Sequence, residues 1–272
     1  MRIEKNVSER KGKEYSDWKK NRRRQRRVSP VQILYETCKQ VFANCGPGVV
    51  PSAENIERLK AVLDTMVEAD VGLSPNLPYF KSTTYDTPPK ITYLHLHECD
   101  KFSIGIFCLP PSAVIPLHDH PGMTVFSKLL FGEMHIKSYD WADNILPAES
   151  TPSANYPVDN AAGDSTGLRL AKVKVNSVFR APCKTSILYP SDGGNMHCFT
   201  ARTACAVLDV LGPPYCDPEG RHCQYYYDFP LANISVPEEQ RGCGDYAWLK
   251  EREKPEDLTV VGALYKGPKI VK

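Results

Sequence analysis

The sequence predicts an all-β fold, an antiparallel sandwich or barrel, preceded by two helices. Apolar residues follow a helical spacing only near the start of the chain, and from residue 91 they alternate with polar residues. Proline, glycine, asparagine and aspartate separate the alternating runs at short intervals. Many short strands with little helix between them are typical of antiparallel sandwiches and barrels.

The composition indicates one globular domain with extensions. Of the 272 residues, 42% are hydrophobic and 24% are charged, which is enough apolar content for a core. The formal net charge of +2 is too small to draw the whole molecule to nucleic acid or to a membrane. No apolar run approaches the roughly 20 residues that cross a bilayer. The polar start lacks the apolar core of a secretory signal, so we expect the ten cysteines, which form no CxxC pair, to remain thiols in a reducing compartment.

Residues 1–29 are predicted to form a flexible basic arm. They are polar and contain the run KKNRRRQRR (Lys19–Arg27), which cannot bury itself. Such a run is consistent with nuclear import, and a solubilising tail explains it as well. We expect the protein in nucleus and cytoplasm, with no direct contact with nucleic acid.

Residues 30–272 are predicted to form a single domain that opens with a helical leader (30–72). Ser29 and the proline after it start the first helix, VQILYETCKQVF, and a second helix is predicted from 52 to 69. The apolar side of the first helix is predicted to comprise Ile33, Leu34, Cys38, Val41 and Phe42. The proline-rich segment 73–90 is predicted to be a connecting loop.

The rest of the domain is predicted to consist of strands. The candidate runs are ITYLHLHE, KFSIGIFCL, TVFSKLLFGEMHIKSYDW, LRLAKVKVNSVF, TSILYP, HCFTARTACAVLDVL and CQYYYDF. A polar stretch of small residues, 142–167, is predicted to be a long mobile loop inserted between two strands. Residues near 237–256 are acidic and compatible with a helix, and a strand-like TVVGALY follows them.

The motif HDHPG, residues 118–122, is the first candidate for a metal site. In a strand, residues i and i+2 point to the same face, so His118 and His120 can converge on one ion while Asp119 points away. His197 follows a pair of glycines and leads into a predicted strand. It is therefore the candidate for a third ligand from a facing strand.

The spacing alone leaves a second interpretation open, since two histidines near a loop are often surface groups or hydrogen-bonded core residues. The chain contains another such pair, His95 and His97, without an adjoining Pro-Gly turn or an obvious third partner. We interpret that pair as structural. His135 lies in the same predicted strand as Glu133 and Lys137 and is less suited to bind a metal.

Longer motifs resemble a known family. HDHPGMTVFSKLLFGEMHIKSYDW, with the distant His197, resembles the two metal motifs of the cupin fold and, more narrowly, the plant cysteine oxidases. These are thiol dioxygenases related to mammalian cysteamine dioxygenase. RRRQRRVSPVQILYETCKQVF and LDVLGPPY (208–215) carry the same resemblance, which covers roughly residues 28–265. It implies a cupin double-stranded β-helix, or jelly roll, with N-terminal helices.

The resemblance implies a site for ferrous iron, Fe(2+), held by His118, His120 and His197. Many cupins carry a glutamate three or four residues after the second histidine, where this chain has Met123 and Thr124. Three neutral imidazoles leave iron(II) with its full charge and with open coordination positions, whereas many non-haem iron oxygenases use two histidines and a carboxylate. Such a site favours a thiolate, because coordination to a divalent metal deprotonates a thiol.

The family's activity is the oxidation of the N-terminal cysteine of proteins, such as oxygen-labile transcription factors, to cysteine sulfinic acid with O2. The resemblance implies that this chain does the same and marks its targets for the N-degron pathway as an oxygen sensor in the hypoxia response. It also implies that Asp209 holds the substrate amine or fixes the hydrogen bonds of the site, and that Tyr215 and Cys223 lie in the pocket. The residues alone favour a strand end for Asp209 and aromatic packing on Pro213-Pro214 for Tyr215.

Two other functions fit the sequence. The same iron site can serve a dioxygenase of a small free thiol, such as cysteamine or cysteine. A non-catalytic nuclear cupin that binds partners through its basic arm is the alternative from another class. We expect a monomer with no membrane partner.

Overall fold

The computed structural model describes residues 28–81, 88–142, 167–230 and 245–272. Nearly all of the predicted basic arm and of the predicted loop at 142–167 lies outside these ranges. No helix within them is long and apolar enough to cross a membrane. The nine cysteines they contain are free thiols.

Two α-helices form the leader, α1 (Pro30–Val41) and α2 (Ala53–Asp64). Each begins after a serine, Ser29 or Ser52, whose hydroxyl accepts a hydrogen bond from a backbone N–H in the first turn. This satisfies one of the N–H groups that a helix start leaves without an internal partner. The second helix is shorter than predicted, because a separate 3-10 turn covers Glu68–Val71.

The buried face of α1 differs from the prediction: Ile33 is exposed, and Val31 and Tyr35 are buried in addition to the predicted residues. Ile33 is 45% exposed, because it lies two residues from both Val31 and Tyr35 and thus on the opposite side of the helix. The buried residues of α1 are Val31, Leu34, Tyr35, Cys38 and Val41.

Twelve β-strands follow within the described residues. They are β1 (Ile91–Glu98), β2 (Ser103–Leu109), β3 (Val114–His118), β4 (Thr124–Phe131), β5 (Glu133–Trp141), β6 (Leu168–Arg180), β7 (Ser186–Leu188), β8 (Met196–Ala201), β9 (Cys205–Gly212), β10 (Tyr225–Pro230), β11 (Tyr246–Arg252) and β12 (Val260–Ala263). β3 is missing from the predicted runs, and two of those runs each contain two strands. β11 replaces part of the segment that is compatible with a helix, because it pairs with both β6 and β10.

The strands form two sheets. One has the order β12-β1-β2-β9-β4-β7, and the other, β10-β11-β6-β5-β8-β3, closes into a barrel. From β2 to β5 and again from β7 to β10, each strand lies in the sheet opposite to the strand before it. This alternation is the double-stranded β-helix of a jelly roll. The predicted all-β cupin-type fold with N-terminal helices is therefore confirmed.

Apolar residues form layers on both sides of the first sheet. Alternate residues of a strand point to opposite faces, so Leu208 packs with the helices while Val207 packs with Phe199 of the second sheet. A further apolar cluster of the second sheet includes Leu117, Tyr139 and Met196. The space between the two sheets is where residues of β3, β8 and β9 face one another.

Gly212 allows the end of α1 to approach the first sheet closely. A Cβ atom at this position would overlap the ring of Phe42. That ring is fully buried and lies against the rings of Phe102 and Phe126. The contact therefore joins the leader to the sheet.

Replacing Gly212 with alanine should reduce the free energy of unfolding by about 1–3 kcal/mol, because overpacking forces the surrounding side chains to shift. Urea denaturation measures the loss. Gly262→Ala on β12 is the matched control, since no atom lies within 4 Å of its added Cβ. Equal losses in the two variants would contradict the role of the Phe42 contact.

Candidate metal centre

His118, His120 and His197 form a buried cluster between the two sheets. One ring nitrogen from each lies within 4.8 Å of the corresponding nitrogens of the other two. The ring centroids are 4.7–5.0 Å apart. The structure thus brings together the three histidines that the sequence proposes as ligands.

The two nearby histidines converge in a different way from the prediction. β3 ends at His118, and His120 lies two residues beyond the strand, so simple strand alternation does not place both side chains. His118 pairs instead with His197 in the register of β3 and β8, after an irregularity in that register. The turn at Pro121-Gly122 then carries the chain to the opposite sheet.

Hydrogen bonds determine which nitrogen of two of these rings is free. His118 Nδ1 lies 2.8 Å from the backbone oxygen of Pro116, which only accepts, so Nδ1 carries the proton. The Tyr215 hydroxyl donates to the backbone oxygen of Asp119 at 2.7 Å and accepts from His120 Nδ1 at 2.9 Å. Both rings therefore present an unprotonated Nε2 to the centre of the cluster.

The arrangement fits a metal ion. His120 Nε2 lies 2.9 Å from His197 Nε2, a distance at which the two nitrogens share one proton in a hydrogen bond or a cation that replaces it. Two nitrogens each about 2.1 Å from one ion, at a right angle, are about 3.0 Å apart. This donor set of three imidazoles could bind a metal.

Burial keeps the three imidazoles uncharged. It lowers the pKa of His118 to about 4 and the pKa of His120 and of His197 well below the usual histidine value. Positive charge on the neighbouring histidines lowers the pKa of His120 and of His197 further. Neutral imidazole is the form that binds metals.

Asn195 braces the cluster, a role that the sequence did not indicate. Its side chain accepts from the backbone N–H of His120 and donates to the backbone oxygen of the same residue, both at 3.0 Å. It also donates to the backbone oxygen of Tyr189 at 2.8 Å. Asp140 accepts from the N–H groups of Gly194 and Asn195 and so holds the loop before β8. The feature of the sequence that could have indicated this role is the segment Gly193-Gly194-Asn195, which ends two residues before His197.

Of the two residues that the family resemblance implies for the pocket, Tyr215 contacts His120 and Cys223 lies next to Tyr215. The ring of Tyr215 stacks on His120 with centroids 5.6 Å apart, in addition to its hydrogen bonds. Cys223 is hydrogen-bonded to Tyr215 and Tyr225. Burial raises the pKa of Cys223 to about 11, which keeps it a thiol and argues against a nucleophilic role.

Asp209 is buried on β9, in the sheet opposite to that of His118 and His197. It lies on β9 between Val207 and Leu211, which share its face. Burial raises its pKa to about 7, and a hydrogen bond with Ser127 opposes this shift. Its Oδ1 atom is buried without a hydrogen-bond partner. An unpartnered buried carboxyl oxygen calls for a ligand or a water.

The three other histidines considered from the sequence lie outside the cluster. His95 is exposed, and His97 packs between the rings of Tyr35 and Phe102. His135 is partly exposed and hydrogen-bonds Asn176 at 2.9 Å. None of these three joins the cluster, in agreement with their interpretation from the sequence.

Comparison with known proteins identifies relatives. The family PCO_ADO matches residues 62–270. Plant cysteine oxidase 2 of Arabidopsis thaliana is 59% identical over 261 residues, which cover 93% of this chain and 88% of that protein. The 2-aminoethanethiol dioxygenase of Homo sapiens is 30% identical over 224 residues, which cover 80% of this chain and 82% of that protein.

Solved structures with a similar fold include an RmlC-like cupin protein from Desulfovibrio desulfuricans. It is 17% identical, has a TM-score of 0.30 and covers 52% of this chain and 97% of its own. Oxalate oxidase in complex with glycolate has 14% identity and a TM-score of 0.32, with 59% of this chain and 68% of its own covered. Both TM-scores are low, so the fold assignment rests on the strand order of this chain.

Substituting alanine for His118, His120 or His197 should weaken metal binding. The loss should exceed that caused by removing a group that only hydrogen-bonds one of these histidines. Tyr215→Phe leaves all three histidines in place but removes the hydroxyl that holds His120 Nδ1 and the Asp119 backbone, and it should lower the affinity by about 10- to 100-fold. Titration of metal-free protein with Fe(II) or Ni(II) measures the affinity. His135→Ala is the control and should bind normally. Normal binding by His197→Ala would disprove the three-histidine centre.

Proposed function

The chain belongs to the PCO_ADO family of thiol dioxygenases, and on this premise we propose that it uses iron(II) and O2 to oxidise the N-terminal cysteine of target proteins to cysteine sulfinic acid. The observation that carries the proposal is the cluster of three buried imidazoles, which includes no carboxylate from the described part of the chain. We further propose that oxygen-labile transcription factors are its targets, which links it through the N-degron pathway to oxygen sensing in the hypoxia response.

The residues of the cluster fit a thiol substrate. His118, His120 and His197 would hold the iron(II), which supplies positive charge to deprotonate a thiol and open positions for activating dioxygen. Because the three candidate ligands are neutral, they place no negative charge beside the thiolate that would repel it. Asn195 and Tyr215 keep the ring of His120 in place while substrate enters.

Asp209 is proposed to bind the α-ammonium group of the substrate. A free α-amine is protonated below its pKa of about 7.7–8.0, and a carboxylate is its natural partner in a partly dry pocket. The ammonium would supply the partner that Asp209 Oδ1 lacks and would favour the ionised carboxylate. In the product both oxygen atoms of O2 are bonded to sulfur, which is oxidised while dioxygen is reduced.

The degree of similarity favours a protein substrate over a small free thiol. The chain is 59% identical to a plant cysteine oxidase and 30% identical to a 2-aminoethanethiol dioxygenase. The alternative of a non-catalytic cupin does not agree with membership of a family of enzymes.

Mass spectrometry tests the reaction directly. Iron-loaded protein is incubated in air with a peptide that begins with cysteine, and the product is expected to gain about 32 Da, two oxygen atoms. Cysteamine and free cysteine are offered in parallel. Faster oxidation of cysteamine than of the peptide would favour the free-thiol alternative, and no oxidation of any thiol would refute the proposal.

Asp209→Asn should leave the iron content close to normal and reduce sulfinic acid formation severely, on the order of 100-fold, because small misplacements at a reacting centre cost this much. An N-acetylated cysteine peptide should likewise be a poor substrate of the unmodified enzyme. Loss of iron from Asp209→Asn would indicate a structural role instead. Full activity would show that Asp209 does not orient the substrate.

The basic arm is proposed to direct part of the protein to the nucleus, with the remainder in the cytoplasm. Deleting Lys19–Arg27 should shift a fluorescent fusion towards the cytoplasm, because clustered basic residues are typical of import signals. Oxidation of a short peptide should stay nearly unchanged. If the deletion abolished peptide oxidation, the arm would belong to the active site.

A further inference from the structure

An apolar cavity of about 60 Å³ lies between the two sheets and reaches the imidazole of His197. Side chains of both sheets line it. They include Val125, Leu129 and Val207 from the first sheet and Ile136, Phe179 and Phe199 from the second. The cavity is therefore part of the interior that separates the sheets.

The cavity extends from the protein surface to one side of the histidine cluster. Lys184, whose side chain is 85% exposed, lies at its outer end, and His197 lies at its inner end. His118 and His120 do not line it. Asp209, which is proposed to bind the substrate amine, is likewise absent from its walls, as are Tyr215 and Cys223.

Size and polarity restrict what the cavity can hold. Pockets for small organic ligands usually have volumes of about 300–1,000 Å³, and an apolar cavity of about 150 Å³ holds one benzene molecule or xenon. A space of about 60 Å³ thus excludes a peptide and suits a ligand of one or two heavy atoms.

Water is a poor occupant of this cavity. A buried water molecule needs roughly two to four polar partners. The walls hold three serine hydroxyls: that of Ser127 is hydrogen-bonded to Asp209, that of the buried Ser138 has no partner, and the third belongs to Ser186. Ten of the eighteen wall residues carry aliphatic, aromatic or methionine side chains, so most of the cavity suits a small apolar molecule better than water.

We propose that this cavity binds dioxygen and delivers it to the histidine cluster past His197, by a route separate from that of the thiol. O2 is a small apolar molecule, and the reaction consumes it next to this imidazole. The inference rests on the proposed function, because only an enzyme that uses O2 requires such a route.

Two substitutions on β9 distinguish an effect on O2 delivery from a general effect on core packing. Val207→Ile adds a methyl group to the wall of the cavity. Val210→Ile makes the same change on the opposite face of β9, where Val210 is fully buried against the helices. The methyl group added at Val207 enters the cavity, whereas the one added at Val210 overpacks the layer against the helices.

Xenon, an apolar probe, tests occupancy without turnover. Crystals of the metal-loaded protein are pressurised with xenon, and the anomalous diffraction signal locates the atoms. We expect a xenon atom in the cavity of the wild type and of Val210→Ile, and none in Val207→Ile. Ordered water in the wild-type cavity, or no xenon there, would overturn the inference.

Steady-state kinetics tests whether O2 reaches the histidine cluster through the cavity. Val207→Ile should raise the KM for O2 about tenfold, the lower end of what one methylene is worth in an apolar pocket. The kcat at saturating O2, the KM for the peptide and the iron content should not change, and Val210→Ile should match the wild type throughout. Equal KM values for O2 in the two variants would overturn delivery through this cavity.

The outcomes distinguish this inference from the proposed function. If wild-type protein oxidises the peptide but takes up no xenon, only the inference fails. If xenon fills the cavity and no thiol is oxidised, the proposed function fails and the inferred delivery of O2 fails with it, leaving an apolar gas site.

Discussion

The structure depends on burying three uncharged imidazoles with their Nε2 atoms facing one another. The Nε2 atoms of His120 and His197, 2.9 Å apart, share either a proton in a hydrogen bond or a cation. The surrounding contacts hold the rings in this arrangement. Hydrogen bonds at Nδ1 hold the rings of His118 and His120, and Asn195 holds the backbone of His120. Burial, by excluding water, keeps all three rings neutral.

The helical leader contributes to the same site. The backbone N–H of Gly48, in the loop after α1, donates to the backbone oxygen of Gly122 at 2.8 Å. Gly122 has a positive φ of 69°, and a Cβ there would lie 3.2 Å from the Gly48 nitrogen. The turn after His120 thus requires glycine for its conformation and for close contact with the leader. The leader is part of the domain and supports the turn that follows a candidate ligand.

The interior between the sheets has a polar side and an apolar side. On the polar side are the buried carboxyl group of Asp209, the proposed partner of a substrate amine, and the Tyr215 hydroxyl that holds His120. The cavity that reaches His197 has walls of mainly aliphatic and aromatic side chains. A charged amine and an apolar gas can therefore approach the same three histidines through surroundings suited to each.

The sequence by itself determined the all-β class, the two helices, most strands and the candidate histidines, because periodicity and short motifs act over a few residues. Only the tertiary structure decided how the candidates meet. His120 and His197 are 77 residues apart, and the register of β3 with β8 brings their segments together. The tautomers, the brace by Asn195 and the cavity depend equally on distant partners. Patterns over a few neighbouring residues do not predict such contacts, since the contacts form only when the two sheets pack.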